Sequence, residues 1–538
     1  MTKRFSRENQ DLLYYNRRYN DAISNRRMGK INVINVKSNI GENPIDTTKQ
    51  EDTVPTLRDI LNDYLESTSV HGLQYFGKLS VEVGFFGKIL WTCTILISFV
   101  CLSLMVMQFL TRYNENPTNT YIKTFDAPIF QAPFPAVTIC PVMPIPLQKR
   151  LAILENIILP QNVSRDIAMY LLKYGHHITH PYVNREFKYV NELKALLDIN
   201  KWSVTKFLET LIPCEDIFES CWWSGERIDC TKSIKTSYSS YGLCCSFNYL
   251  LENYVGSQKG HPQPKPLSSA DFGLWSGLKL VINKDALVLS ENMINSSRII
   301  NSYGIMVLIH HRMDFPGLNT NMYMLQANHE LEIAVKPQLI HKPGGLQHRN
   351  KENELVPVCI RQNESPLEYF SIYRYSNCYA NCRIKAMIQL CGCLPFIYDY
   401  VAEFYNITRC EIERLHCIQE NAKQIGIVRD VQNENITCSC RTPCENMNYD
   451  GFPNSIALVQ TSSPRNVSDQ AAVIKVYMQS QIFQILVTLS AADETYLLAS
   501  VGGIFSLFLG CRLLRGRVET QPQQTSDKNF VNYRRQVY

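Results

Sequence analysis

Two apolar runs break an otherwise mixed pattern. Residues 89–110 (ILWTCTILISFVCLSLMVMQFL) are 22 residues without a charge, enough to cross about 30 Å of hydrocarbon as a helix. Residues 496–514 (YLLASVGGIFSLFLGCRLL) are 19 residues with one charge, Arg512. A buried core helix competes with a second crossing there, and the Gly502-Gly503 pair and basic exit favour the crossing. The first run starts too far into the chain, and lacks a small-residue cleavage site after it, to be a signal peptide.

Between the runs the pattern alternates between periods near two and near 3.6. LKLVI (278–282), ALVL (286–289) and YGIMVLIHH (303–311) predict strands. LAILENIIL and EFKYVNELKALLDI, within 150–210, predict helices. The fold class expected is α+β. Residues 1–88 are polar and mixed in charge, the first forty reading as unstructured. Residues 54–76 predict a helix ending in a turn before the membrane. The C-terminal QPQQTSDKNF reads as a polar tail.

Composition and charge set the orientation. The net charge of +5 over 538 residues is small and interleaved, which gives nucleic acid no electrostatic footprint. Lys78 and Lys88 precede the first run, and Arg515, Arg517, Arg534 and Arg535 follow the second, so both ends are expected in the cytoplasm. All six glycosylation sequons, at Asn162, Asn295, Asn363, Asn406, Asn435 and Asn466, lie between the runs. Of 19 cysteines, Cys93, Cys101 and Cys511 fall in the runs and the other sixteen between them, which predicts eight disulfides in an oxidising compartment. Zinc at the close pairs Cys391/Cys393 and Cys438/Cys440 is the weaker alternative. The layout expected is a cytoplasmic segment (1–88), a transmembrane helix (89–110), a disulfide-rich extracellular domain (111–495), a second transmembrane helix (496–514) and a cytoplasmic tail (515–538) of a plasma-membrane protein.

Several motifs resemble the degenerin/epithelial sodium channel family. They are FPAVTIC (134–140), His71-Gly72 before the first run, GLCCSFN (242–248), Cys378-x3-Cys382-x8-Cys391-x-Cys393, Cys438-x-Cys440-x3-Cys444 followed by Tyr449, and LLASVGGIFSLFLG (497–510). The phrasing RYSNCYANCR…CGCLPF is most similar to the insect pickpocket branch, and the likeness covers about residues 70–514. It implies a trimer with homologous subunits, hetero-oligomeric in expectation, and a sodium-permeable, amiloride-sensitive pore lined by the second helices. Sodium is then the permeant ion, with no cofactor and no resident metal; an extracellular ligand is not identified. The resemblance also implies the pairs Cys140–Cys244, Cys359–Cys444, Cys378–Cys440, Cys382–Cys438, Cys391–Cys417 and Cys393–Cys410, with Cys221–Cys230 and Cys214–Cys245 for the remainder. The last five of the first six form a ladder between a helix-turn region and a returning strand, which would stiffen a path from the domain to the membrane.

Ala499, Gly502, Ser506 and Gly510 recur three or four apart, a small-residue face suited to close helix packing. By resemblance Ala499 is the small position where bulky residues hold such channels open, His71 and Gly72 bear on gating, and Gly502, Gly503 and Ser506 line the pore. Gly510-Cys511-Arg512 falls on the Gly-x-Ser filter. Arg512 departs from that pattern. Three arginines about 6 Å apart would repel by about 3 kcal/mol per pair at an effective dielectric near 20, opposing sodium entry. Alternatively Arg512 snorkels to the headgroups at the inner end of the span. A non-conducting accessory subunit or surface receptor is therefore the second functional reading. An enzyme is the third and weakest: HHITH (176–180) lacks the glutamate of a metalloprotease helix and reads as an exposed polar helix or loop.

Overall fold

HELEIAVKPQLIH forms β10 (His329–His341), the spine of the main sheet, with buried and half-exposed positions alternating through its centre from Ile333 to Pro337. The computed structural model describes residues 56–68, 70, 73–76, 84–115, 118–142, 145–181, 189–255, 266–283, 286, 304–349, 354–364, 367–426, 438, 440–458 and 472–510. β10 pairs along its whole length with antiparallel β13 (Glu445–Ala457). On its other edge it runs parallel first to β14 (Ala472–Met478) and then to β15 (Ile482–Ser490). β1 (Thr118–Pro128) closes one side of this sheet. β7 (Leu278–Ile282), β3 (Phe218–Trp223) and β4 (Glu226–Ile228) extend the other. A second, five-stranded sheet orders β5 (Ile234–Ser239), β6 (Gly242–Phe247), β2 (Ala136–Val142), β8 (Gly304–His310) and β9 (Asn321–Leu325). β11 (Gln347–Arg349) and β12 (Leu355–Pro357) form a small separate pair.

One apolar core lies among strand side chains of both sheets, with Phe134, Val137, Ile139, Leu280, Ile333, Val335 and Ile474 fully or almost fully buried. A second lies among helices Arg165–Ile178, Val190–Ile199, Val204–Leu211 and Tyr375–Cys391, through Leu171, Leu193, Phe207, Ile384 and Met387. Three disulfides tie the strand region together: Cys140–Cys244, Cys214–Cys245 and Cys221–Cys230. The domain is α+β. The expected LKLVI strand is β7 itself and β8 occupies 304–310 of the expected 303–311, whereas 287–289 of the expected ALVL strand lie outside the described residues and Ala286 is in a 3-10 turn.

Of the HHITH segment, His176, Thr179 and His180 are not exposed. Thr179 and His180 are buried, and both ring nitrogens of His176 are shielded from solvent. The end of helix Arg165–Ile178 turns inward there, bringing His180 against Gly242 at the start of β6. Its polar letters misread because hydroxyl and imidazole groups are tolerated inside when they find partners.

A separate N-terminal unit contains helix Leu57–Ser67. Thr56 and Asp59 form a capping box at its start, as [ST]-x-x-[DE] before an apolar pattern should. His71 and Gly72 lie outside the described residues, as do the first fifty-five residues.

Candidate functional site: two apolar helices and the strands that join them

Helix Gly84–Glu115 is 32 residues long, and among the described residues it is the one helix long and apolar enough by itself to cross a membrane. It is longer than the 22-residue apolar run because backbone hydrogen bonding continues into the polar flanks. The second run behaves differently. Helix Glu494–Leu509 starts at Asp493, whose carboxylate accepts the Tyr496 N–H at 2.7 Å and the Thr495 hydroxyl at 2.9 Å. It stops at Gly510, which sits at φ +67 and donates its N–H to the Ser506 carbonyl at 3.0 Å. Glycine reaches that left-handed conformation without a Cβ clash. The helix has 16 residues, about 24 Å at 1.5 Å per residue, which is short of about 30 Å of hydrocarbon. Cys511 and Arg512 lie outside the described residues.

The two helices pack together. Leu102 is buried with Ile504 and Leu509, and Val106, Phe109, Phe505 and Phe508 pack around them. Toward the strand end, the Phe109 and Tyr496 rings lie 5.9 Å apart, and the Arg112 guanidinium stands 5.8 Å over the Tyr496 ring. Ala499, Gly503 and Ser506 are exposed, while Gly502 and Gly510 are half-buried. Nothing lies within 4 Å of a Cβ built on Gly503. One face of the helix is thus packed, and an open face carries small side chains that let further helices approach.

Both helices feed one strand pair. β1 follows Glu115 after two residues, β15 ends four residues before Glu494, and the two strands pair from Thr118↔Ser490 to Pro128↔Ile482. The Thr120 and Thr488 hydroxyls meet across that pair at 3.0 Å.

The remaining five disulfides gather around helix Tyr375–Cys391. Cys378 and Cys382, one turn apart, bond Cys440 and Cys438. Cys391–Cys417 and Cys393–Cys410 fasten its far end, where Gly392 at φ +66 turns the chain, and Cys359–Cys444 encloses the group. The pairs are those given by the resemblance. The partners, however, do not lie on a returning strand. Cys410, Cys438 and Cys440 are in irregular chain, Cys417 is in a short helix (Leu415–Glu420), and Cys444 just precedes β13. The sulfurs of Cys378, Cys382, Cys438 and Cys440 lie within 4.8 Å of one another as two adjacent disulfides, which leaves no thiolate to hold zinc.

Where that helix meets the sheets, sequence reasoning missed the central contacts. Arg374 Nε and Nη2 donate to Asp314 at 2.6 and 3.2 Å, and Nη2 also reaches the Met447 carbonyl at 3.4 Å. The arginine side chain is 4% exposed. Burial pushes the Asp314 carboxyl up, but the Arg374 charge and hydrogen bonds outweigh it and hold the group below the ordinary carboxylate range. Asn377 caps the same junction, accepting from Phe315 N–H at 2.9 Å and donating to the Met313 carbonyl at 2.8 Å. Three motif segments also meet: Asn248 donates to the Phe134 carbonyl at 2.8 Å, and the Tyr449 hydroxyl to the Pro133 carbonyl at 2.9 Å. Burial lowers the imidazoles of His310 and His311 to about 4 and about 3, so both are neutral at physiological pH.

A second buried polar group sits near Tyr238, Tyr249 and Tyr400. Glu252 Oε1 accepts the Tyr238 N–H at 2.7 Å, and burial pushes its carboxyl up to about 8 from an ordinary 4.5. Between those values the folded state binds more protons than the unfolded chain, so stability must fall as pH rises from about 4.5 to about 8. Glu252→Gln should flatten this part of the melting-temperature profile and raise the melting temperature at pH 8. A variant whose slope matches the parent's would show that Glu252 is ionised throughout.

The sequence pattern that defines the amiloride-sensitive sodium channel family matches residues 64–514, most of the chain. The chain belongs to that family. Sodium channel protein Nach of Drosophila melanogaster is 28% identical over 480 residues, covering 85% of each chain. Pickpocket protein 28 of the same organism is 22% identical, covering 83% of this chain and 75% of its own. The bile acid-sensitive ion channel of Rattus norvegicus is 22% identical, covering 84% and 85%. Among solved structures, a proton-activated chloride channel aligns over 78% of this chain at 7% identity with a TM-score of 0.28, too low to bear on the fold. The family is one of ion channels, not enzymes, and this member sits with the insect Nach and pickpocket proteins.

Proposed function

We propose that this chain is a subunit of a sodium-selective, amiloride-sensitive cation channel of the plasma membrane, opened by an extracellular ligand or by force. Three subunits, this chain with homologous partners, surround a pore lined by Glu494–Leu509 and the residues after it. Both termini are cytoplasmic. Asn162 and Asn406, exposed on the domain between the helices, carry glycans on its extracellular surface. Asn363 falls in a described turn, and Asn295, Asn435 and Asn466 lie outside the described residues. The observation that supports this reading best is the small-residue face of Ala499, Gly503 and Ser506, left open while the opposite face packs on the first helix. Ala499 remains the gating position, with His71 and Gly72, and Gly510-Cys511-Arg512 the filter.

The second reading, a non-conducting subunit, is favoured by Arg512 itself. Expression of the chain alone and with sibling subunits, with surface delivery verified, separates the two. Amiloride-sensitive sodium current in any combination supports the channel, and none in all of them defeats it. Arg512→Ser should increase the current several-fold if the arginine faces the permeation path. An unchanged current places the guanidinium in the headgroups.

A further inference from the structure

A half-enclosed cavity of about 270 Å³ opens beside the start of helix Leu147–Asn156. Ile145, Leu211, Ile217 and Ile305 form its floor, and all four are almost fully buried. An apolar hollow with a few polar groups at its edge is the usual form of a small-ligand site, and this volume lies just under the common range of about 300–1,000 Å³. Among the described residues the charged groups lining it are Lys149 and Asp216, and they pair with each other.

The pair is unequal. The Asp216 side chain is 57% exposed and the Lys149 side chain 27%. Released from its partner, Asp216 regains water at small cost, whereas sheltered Lys149 still needs an anion. Lys149 also stands in the first turn of a ten-residue helix whose N-cap, Pro146, supplies no side-chain hydrogen bond. The positive helix end therefore adds to the lysine charge and disfavours a cation in its place. The edge of the hollow selects for negative charge and its floor for hydrocarbon.

We propose that this cavity binds a small anionic amphiphile, an aliphatic carboxylate of medium chain length. Its tail lies against Ile145, Leu211, Ile217 and Ile305, and its carboxylate takes the place of Asp216 on Lys149. The site does not depend on whether the chain conducts.

The test uses the full chain in nanodiscs with radiolabelled octanoate, subtracting uptake by empty nanodiscs. Octanol and octylammonium serve as competing probes. A single saturable class of octanoate sites is expected. Lys149→Gln should weaken octanoate at least about tenfold, the loss of a charge-assisted hydrogen bond, and leave competition by octanol unchanged. Ala286→Leu, which adds bulk at the lip of the hollow, should abolish binding of both, with melting temperatures confirming that the variants fold. Absence of a saturable component, or octanoate binding that survives both substitutions, overturns the site. Octylammonium competing more strongly than octanoate overturns the assignment of an anion.

Discussion

Replacing Cys378, Cys440, Cys382 and Cys438 together by alanine should lower stability by about 5–6 kcal/mol, whereas losing either bridge alone should cost about 2 kcal/mol. The excess over additivity comes from nesting. The two bridges close loops of 62 and 56 residues inside the 85-residue loop of Cys359–Cys444. With one inner bridge left, the chain freed by removing the other is about six residues, because the bridge ends are four and two residues apart. With both gone, about 29 residues are freed up to the outer bridge. Thermal unfolding of the full chain in detergent, compared among the two single-bridge variants and the double, measures this. Strict additivity would show that the bridges act locally on the folded state rather than on the freedom of the unfolded chain.

Arg374→Met should cost about 3–5 kcal/mol, because it strands the Asp314 carboxylate among buried groups. The sign of its pH dependence follows from the same contact. With the guanidinium present, Asp314 titrates below the ordinary range, and its stabilising contribution is lost as pH falls through that low value. Without it, burial is the largest influence left and raises the carboxyl against the smaller pull of His311 and His310, so the variant should recover stability as the solution is acidified. Joining Arg374→Met with Asp314→Leu should return most of the loss at neutral pH. A double variant as unstable as the single would show that the arginine matters through Met447 instead.

The elements with a strong local pattern were legible in the sequence. The 22-residue apolar run contains the centre of helix Gly84–Glu115, and β7 and β8 fall within a residue of their expected places. Of the second run, 496–509 fall in helix Glu494–Leu509, which ends where Gly510 adopts a left-handed conformation, and 511–514 lie outside the described residues. Backbone geometry ended the helix, not hydropathy. The number of bridges followed from counting cysteines, but their partners came from family resemblance, since spacing alone admits many connectivities. Arg374 and Asp314 were invisible as a pair, being sixty residues apart with no periodicity linking them. Nothing in the local sequence singles out Glu252, and only the packing around it sets its carboxyl apart. His180 shows the converse error, in which polarity was taken for exposure.

Because β1 and β15 are zipped to each other, and β15 is zipped in turn to β10, the roots of the two apolar rods are yoked. A tug on that yoke is shared by both rods, and neither can be drawn lengthwise while its neighbour stays still unless a ladder of backbone hydrogen bonds tears. The low-cost movement left to the pair is to lean or swivel as one body.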